Sequence, residues 1–170
     1  EVDGKYGAAR ISGYIKENKI TNSDAATLVV SSGDMFQGSA ISNHTRGEIV
    51  VDIMNEVGFN AMTIGNHEFD WDLSTVLKYR DGDLSNGEAN FPFLGCNIIE
   101  KETSSIPEYV DPYNIVEVKG LKIGIIGYMG FGLEDSIATS MIEDYYFSEP
   151  VEAISLYAEK LRTEENCDIV

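Results

Sequence analysis

Positive charge is scarce in this sequence. Twelve Lys and Arg stand against 29 Asp and Glu, a net charge of −17 over 170 residues. Binding a nucleic-acid backbone needs clustered Lys and Arg, so a nucleic acid polymer is excluded as partner. Docking on anionic lipid is excluded on the same ground. Cysteine is nearly absent: Cys96 and Cys167 are the only two, and they form no C-x-x-C pair. Zinc-ribbon and thioredoxin-type motifs are therefore ruled out. Cys96 lies in the apolar run Phe93 to Ile99 and reads as a buried thiol, while a disulfide between Cys96 and Cys167 stays open. No apolar run approaches the roughly 20 residues of a membrane helix, so no membrane span is expected. Repeats, low-complexity tracts and linkers are missing too. The chain opens on Glu1 rather than Met, so it is expected not to start at a native start, with any targeting segment removed.

What is present is an ordinary globular composition, 43% apolar, in a length that suits one domain, residues 1–170. Elements alternate along it. Residues near 8–18 read as a helix with Ile11, Tyr14 and Ile15 on one face. Thr27 to Ser31 is β-rich and ends at Gly33-Asp34. Thr45 and Glu48 have the spacing of a capping box, and Ile49, Val50, Ile53, Met54 and Val57 repeat at helical spacing until Gly58. Asn60 to Ile64 reads as a strand ending in Gly65-Asn66. A helix is expected around 72–80, a buried strand over Phe93 to Ile99, and a hairpin of Tyr113–Lys119 and Leu121–Gly127 about Gly120. Residues 130–148 look irregular. A helix over about 149–165 carries Pro150 in its first turn, with Ile154, Tyr157, Ala158 and Leu161 as its core face. Cys167 to Val170 reads as the start of a strand. Strands alternating with helices imply a layered α/β fold, a mixed β-sheet flanked by helices.

Two strand ends carry chemistry: Ser32-Gly33-Asp34-Met35-Phe36-Gln37-Gly38 and Gly65-Asn66-His67-Glu68-Phe69-Asp70. Ligands collect at the carboxyl ends of strands in open α/β sheets. An anionic phosphate ester would be repelled by a net charge of −17 and needs a local positive source, for which divalent metal ions are suited. Asp34 offers a carboxylate able to bridge two cations. Asn66 offers a neutral oxygen that leaves a metal strongly Lewis acidic. His67 suits proton donation or stabilisation of a developing oxyanion. Asp70, three residues on, can meet His67 if the backbone turns helical, fixing its tautomer and raising its pKa. Each signal alone is weak, since Gly-Asp is commonly a plain turn. His44, in a polar loop, reads as a surface residue, and Asn43-His44-Thr45 fits a glycosylation sequon. Trp71 and Phe69 read as packing residues.

The order G-D-x-x-x-G, about thirty residues of helix and strand, then G-N-H-E-x-D resembles the calcineurin-like metallophosphoesterases, more narrowly their 5′-nucleotidase branch. Tyr6 to Arg10, Gly47-Glu48, Gly58 to Ala61, Phe91 to Leu94 and Val118 to Gly124 resemble further segments of that family. The resemblance implies a partial metallophosphoesterase fold holding two divalent metal ions, Zn, Mn or similar. It implies Asp34 as the bridging metal ligand, and Asn66 as ligand of the second metal and contact for the phosphate. It implies His67 as transition-state stabiliser and leaving-group acid in contact with substrate, and Asp70 as its dyad partner. The substrate would be a nucleotide or other small phosphate ester, and the location extracytoplasmic.

Family pieces are missing from the sequence. No D-x-H occurs, and the later His motifs should follow the strand that begins at Asp168. The expectation is an N-terminal portion of the domain, truncated at both ends, lacking the nucleoside-recognition domain and inactive in isolation. Exposed sheet edges should invite a homo-oligomer. Two alternatives stand beside the nucleotidase: a 2′,3′-cyclic-nucleotide phosphodiesterase of the same family, and a degenerate, non-catalytic binding module.

Overall fold

A computed structural model describes residues 7–170; Tyr6 of the upstream matched segment lies outside them. The described residues form helices α1 Ala8–Thr21, α2 Ala40–Thr45, α3 Glu48–Val57, α4 Leu73–Leu77 and α5 Pro150–Thr163. The strands are β1 Val30–Ser31, β2 Ala61–Thr63, β3 Phe93–Leu94, β4 Ile98–Glu100, β5 Val110–Asp111, β6 Tyr113–Val118, β7 Leu121–Ile126 and β8 Tyr145–Phe147. β1, β2, β3 and β5 make one parallel sheet in that spatial order. Val30 lies opposite Ala61, Met62 opposite Phe93, and Phe93 opposite Val110. β2 and β3 are buried on both faces, as a helix-covered parallel sheet requires. The parallel register sends the chain out of β1 and β2 on the same side, and this sets the two chemistry-bearing loops against each other.

Residues of α3 and β3 share one buried core cluster. Val51, Met54 and Val57 recur on one face of α3 and are buried. Phe93 lies edge-on to Phe36 and Phe91, and Phe36 packs against Tyr79. Phe69, directly behind the second site loop, lies edge-on to Tyr145 and Phe147 of β8. α5 packs on β7 because Gly124 has no side chain: a Cβ there would fall 2.8 Å from Leu161.

Several boundaries differ from the expectations. The capping box expected of Thr45 and Glu48 does not form: Glu48 is the first residue of α3 with Gly47 as its N-cap, and Thr45 ends the separate helix α2, whose own N-cap is Ser39. Gly58 closes α3 in the left-handed conformation, with its N–H and that of Phe59 both donating to Met54 O. α1 runs to Thr21, but it buries none of its residues: Ile11 is 52% and Tyr14 70% exposed. It is held to α3 by the Lys16–Glu56 ion pair at 2.7 Å. The apolar run at Phe93 to Ile99 is two strands, not one. Gly95 N–H still continues the ladder to β5 by donating to Asp111 O, and Cys96 N–H then turns away to Gly127 O. Buried Asn97 accepts from Met129 N and donates to Met129 O and Ser148 O, which turns the chain into β4. β4 then pairs antiparallel with β8, a strand inside the stretch that looked irregular. The hairpin forms as expected, with Lys119 and Gly120 both at positive φ, but β6 and β7 bond in a ladder of their own. Ile169 makes one isolated parallel bridge to Ile123, and no strand forms in the terminal segment among the described residues. His44 sits in the last turn of α2 rather than in a loop, and it is exposed. Cys96 is buried, Cys167 is half-buried, and both are free thiols. Burial pushes the Cys96 thiol up to about 11.

Candidate active site

β1 ends in Gly33-Asp34, both with positive φ, 97° and 56°. Left-handed backbone is open to Gly but uncommon for Asp. The turn brings the end of β1 against the end of β2. A Cβ on Gly33 would lie 2.7 Å from Gly65 N and 2.8 Å from Thr63 O; a Cβ on Gly65 would collide with Asp34 Oδ1. Two glycines facing each other thus permit an approach that any side chain would block. Across that gap His67 N–H donates to Asp34 Oδ1 at 3.1 Å. Asp34 remains exposed to solvent.

Asn66–Phe69 forms one turn of 3-10 helix. Asn66 is 9% exposed. The turn brings His67 and Asp70 together as their spacing suggests: His67 Nδ1 lies 2.8 Å from Asp70 Oδ2. A carboxylate only accepts, so Nδ1 carries the proton and Nε2 stays available. The bond to Asp70 raises the imidazole above its ordinary 6.5. Partial burial opposes the shift, and the charges of Asp70, Asp34 and Glu68 add to it. The four expected residues therefore form a chain of contacts from Asp34 through His67 to Asp70, with Asn66 beside them.

Sequence reasoning gave Glu68 no role. Its side chain is fully buried. Oε2 accepts from Asp34 N at 2.9 Å and Gly65 N at 2.8 Å; Oε1 accepts from Met35 N at 2.9 Å and Phe36 N at 3.4 Å. Burial pushes its carboxyl up, while the N–H groups of Asp34, Gly65 and Met35 pull it back. A signal was available: Glu three residues after Gly65 is the N3 position of a capping box.

Asp34 and Asn66 fit a hard divalent cation by donor type, one anionic and one neutral oxygen ligand. They do not fit by number, since such ions take about four to eight ligands. Among the described residues no group of three or more His, Cys, Asp or Glu is placed to hold a metal ion. Nor is any helix among them long and apolar enough to cross a membrane.

No protein-family model matches the chain. Named relatives do. A snake venom 5′-nucleotidase of Gloydius brevicauda is 36% identical over 159 residues, 92% of this chain and 26% of that protein. A 5′-nucleotidase of Vibrio parahaemolyticus is 32% identical over 170 residues, 98% of this chain and 29% of that protein. The solved NAD nucleotidase of Haemophilus influenzae superposes with a TM-score of 0.74 at 26% identity, over 96% of this chain and 30% of that one. The chain thus spans somewhat over a quarter of the length of the proteins it matches. Similarity of sequence over nearly the whole chain, together with the shared fold, relates it to the 5′-nucleotidases.

Proposed function

We propose that this chain is the N-terminal portion of a metal-dependent phosphohydrolase that cleaves the phosphate ester of nucleotides. The observation that carries the reading is His67, which joins both ends of the site. Its backbone N–H binds Asp34 and its ring binds Asp70. Asp34 and Asn66 would act as ligands to two divalent ions such as Zn or Mn, with the remaining ligands from parts of the protein outside this sequence. When bound, the ions would supply Lewis acidity and the positive charge that a net −17 chain lacks. Asn66 and His67 would face the phosphate. Protonated His67, held by Asp70, would stabilise charge on the phosphoryl oxygens and pass its Nε2 proton to the leaving alcohol. Nucleoside recognition belongs to a further domain. The names of the nucleotidase relatives support the substrate class, and the venom relative supports an extracytoplasmic location.

Titrating the labelled chain with Mn²⁺ tests this reading. Paramagnetic broadening is expected first at Asp34, Asn66 and His67, and it should disappear in Asp34→Ala. Broadening spread evenly over the acidic surface, or centred at Asp81 and Asp83, would overturn the metal-site assignment. Phosphate release from AMP by the isolated chain should be undetectable. Release that His67→Ala abolishes would show that these residues suffice without further ligands.

A further inference from the structure

A carboxylate removed from water is costly unless every lone pair is used. Glu68 is fully buried and uses them on backbone donors. Consecutive left-handed residues Gly33 and Asp34 turn the N–H groups of Asp34, Met35 and Phe36 toward one point. Such a nest of N–H groups ordinarily binds an anion. Here the chain's own carboxylate fills it. The distribution between the two oxygens carries more information. Oε1 serves only the first loop, through Met35 and Phe36, whereas Oε2 is shared between Asp34 of the first loop and Gly65 of the second. A single oxygen atom therefore spans the two loops at the point where Asp34 meets His67.

We infer that Glu68 is the positioning residue of this site: it clamps the loop after β1 to the turn after β2 and so sets where Asp34 stands relative to Asn66 and His67. The inference rests on the phosphohydrolase reading for its purpose, but its geometry can be tested without turnover or metal. Glu68 touches neither substrate nor reacting atoms, and it acts through Asp34. Gln at this position would keep one acceptor and present an NH₂ to N–H donors, breaking one side of the clamp. Asp would keep the charge but lose a methylene, so it would reach one loop and not both.

The test uses isotope-labelled chain 1–170. In the wild type, through-hydrogen-bond couplings are expected between the Glu68 carboxylate carbon and the amides of Asp34, Met35 and Gly65; their absence overturns the proposal. The second readout is amide exchange at His67, whose N–H donates to Asp34 and not to Glu68. Protection there should be lost in both Glu68→Gln and Glu68→Asp. It should persist in a core control, Val51→Ala, compared at equal distance below its Tm. A Gln variant with a lowered Tm but unchanged His67 and Asp34 amides would make Glu68 a fold-stability residue only, and the proposal would fail. Should the Gln variant not fold, the Asp variant and the wild-type couplings decide. Failure of the Mn²⁺ titration would remove the metal reading while leaving these readouts intact, so the two failures are distinguishable.

Discussion

His67 shows how one residue carries both a local and a long-range bond. Its contact with Asp70 could be anticipated because i and i+3 meet on any helical turn. Its contact with Asp34 could not, because it depends on two strands becoming parallel neighbours. Asp34, Asn66, His67 and Asp70 were all legible as residue types at strand ends. Glu68 was legible only as the N3 residue of a capping box on Gly65; its bonds to Asp34, Met35 and Phe36 depend on the assembled sheet. The His67 bond has a measurable consequence. A pKa raised above 6.5 means that the folded state binds the proton more tightly than the unfolded chain. The resulting stabilisation is full below about pH 6.5 and fades as pH rises through the folded value. The side chain is 44% exposed, so solvent screening keeps the effect on stability small. The shift itself is the better observable. Imidazole NMR titration should give a value above the ordinary one, and Asp70→Asn should bring it down; equal values in both proteins would break the dyad assignment.

At the level of elements, the long and periodic ones were readable and the interrupted ones were not. α3, α5 and the β6–β7 hairpin follow their patterns because local spacing decides them. The break between β3 and β4 escaped notice because every residue from Phe93 to Ile99 except Asn97 is apolar or small. What divides them is the turn of Cys96 N–H to Gly127 O and the side-chain bonds of Asn97 to Met129 and Ser148. α1 formed where its pattern suggested, but of the expected face Ile11, Tyr14 and Ile15 only Ile15 is half-buried, and Ile11 and Tyr14 lie exposed. The site depends on a third kind of feature, the close approach of two loop backbones at Gly33 and Gly65. Gly65→Ala is the sharpest probe of it, because the new Cβ would collide with Asp34 Oδ1. Overpacking of this kind costs about 1–3 kcal/mol. Urea denaturation should show a loss in that range, and the His67 amide should lose its bond to Asp34. A variant as stable as the wild type, with the His67 amide unmoved, would mean that the loops have more room than the geometry allows.

The whole molecule sets two forces against each other. Among the described residues the parallel sheet ends in β1, a short edge strand whose Val30 is 50% exposed, and α1 exposes Ile11, Tyr14 and Ile20. Unpaired edges of this kind favour pairing with another chain. A net charge of −17 on each copy opposes it. Electrostatic repulsion between surfaces reaches only about 8 Å at physiological ionic strength and about 3 Å at 1 M salt, whereas apolar contact is not weakened by screening. Association through β1 and α1 should therefore strengthen with salt, the reverse of what a salt-bridged interface would do. Size-exclusion chromatography of the chain at high concentration should show a monomer–dimer mixture that shifts toward dimer as NaCl is raised. Val30→Lys should return it to monomer, because a charge on the edge strand is left unpaired in the joined sheet. A clean monomer at every salt concentration would mean that charge dominates, and that the exposed edge does not drive self-association.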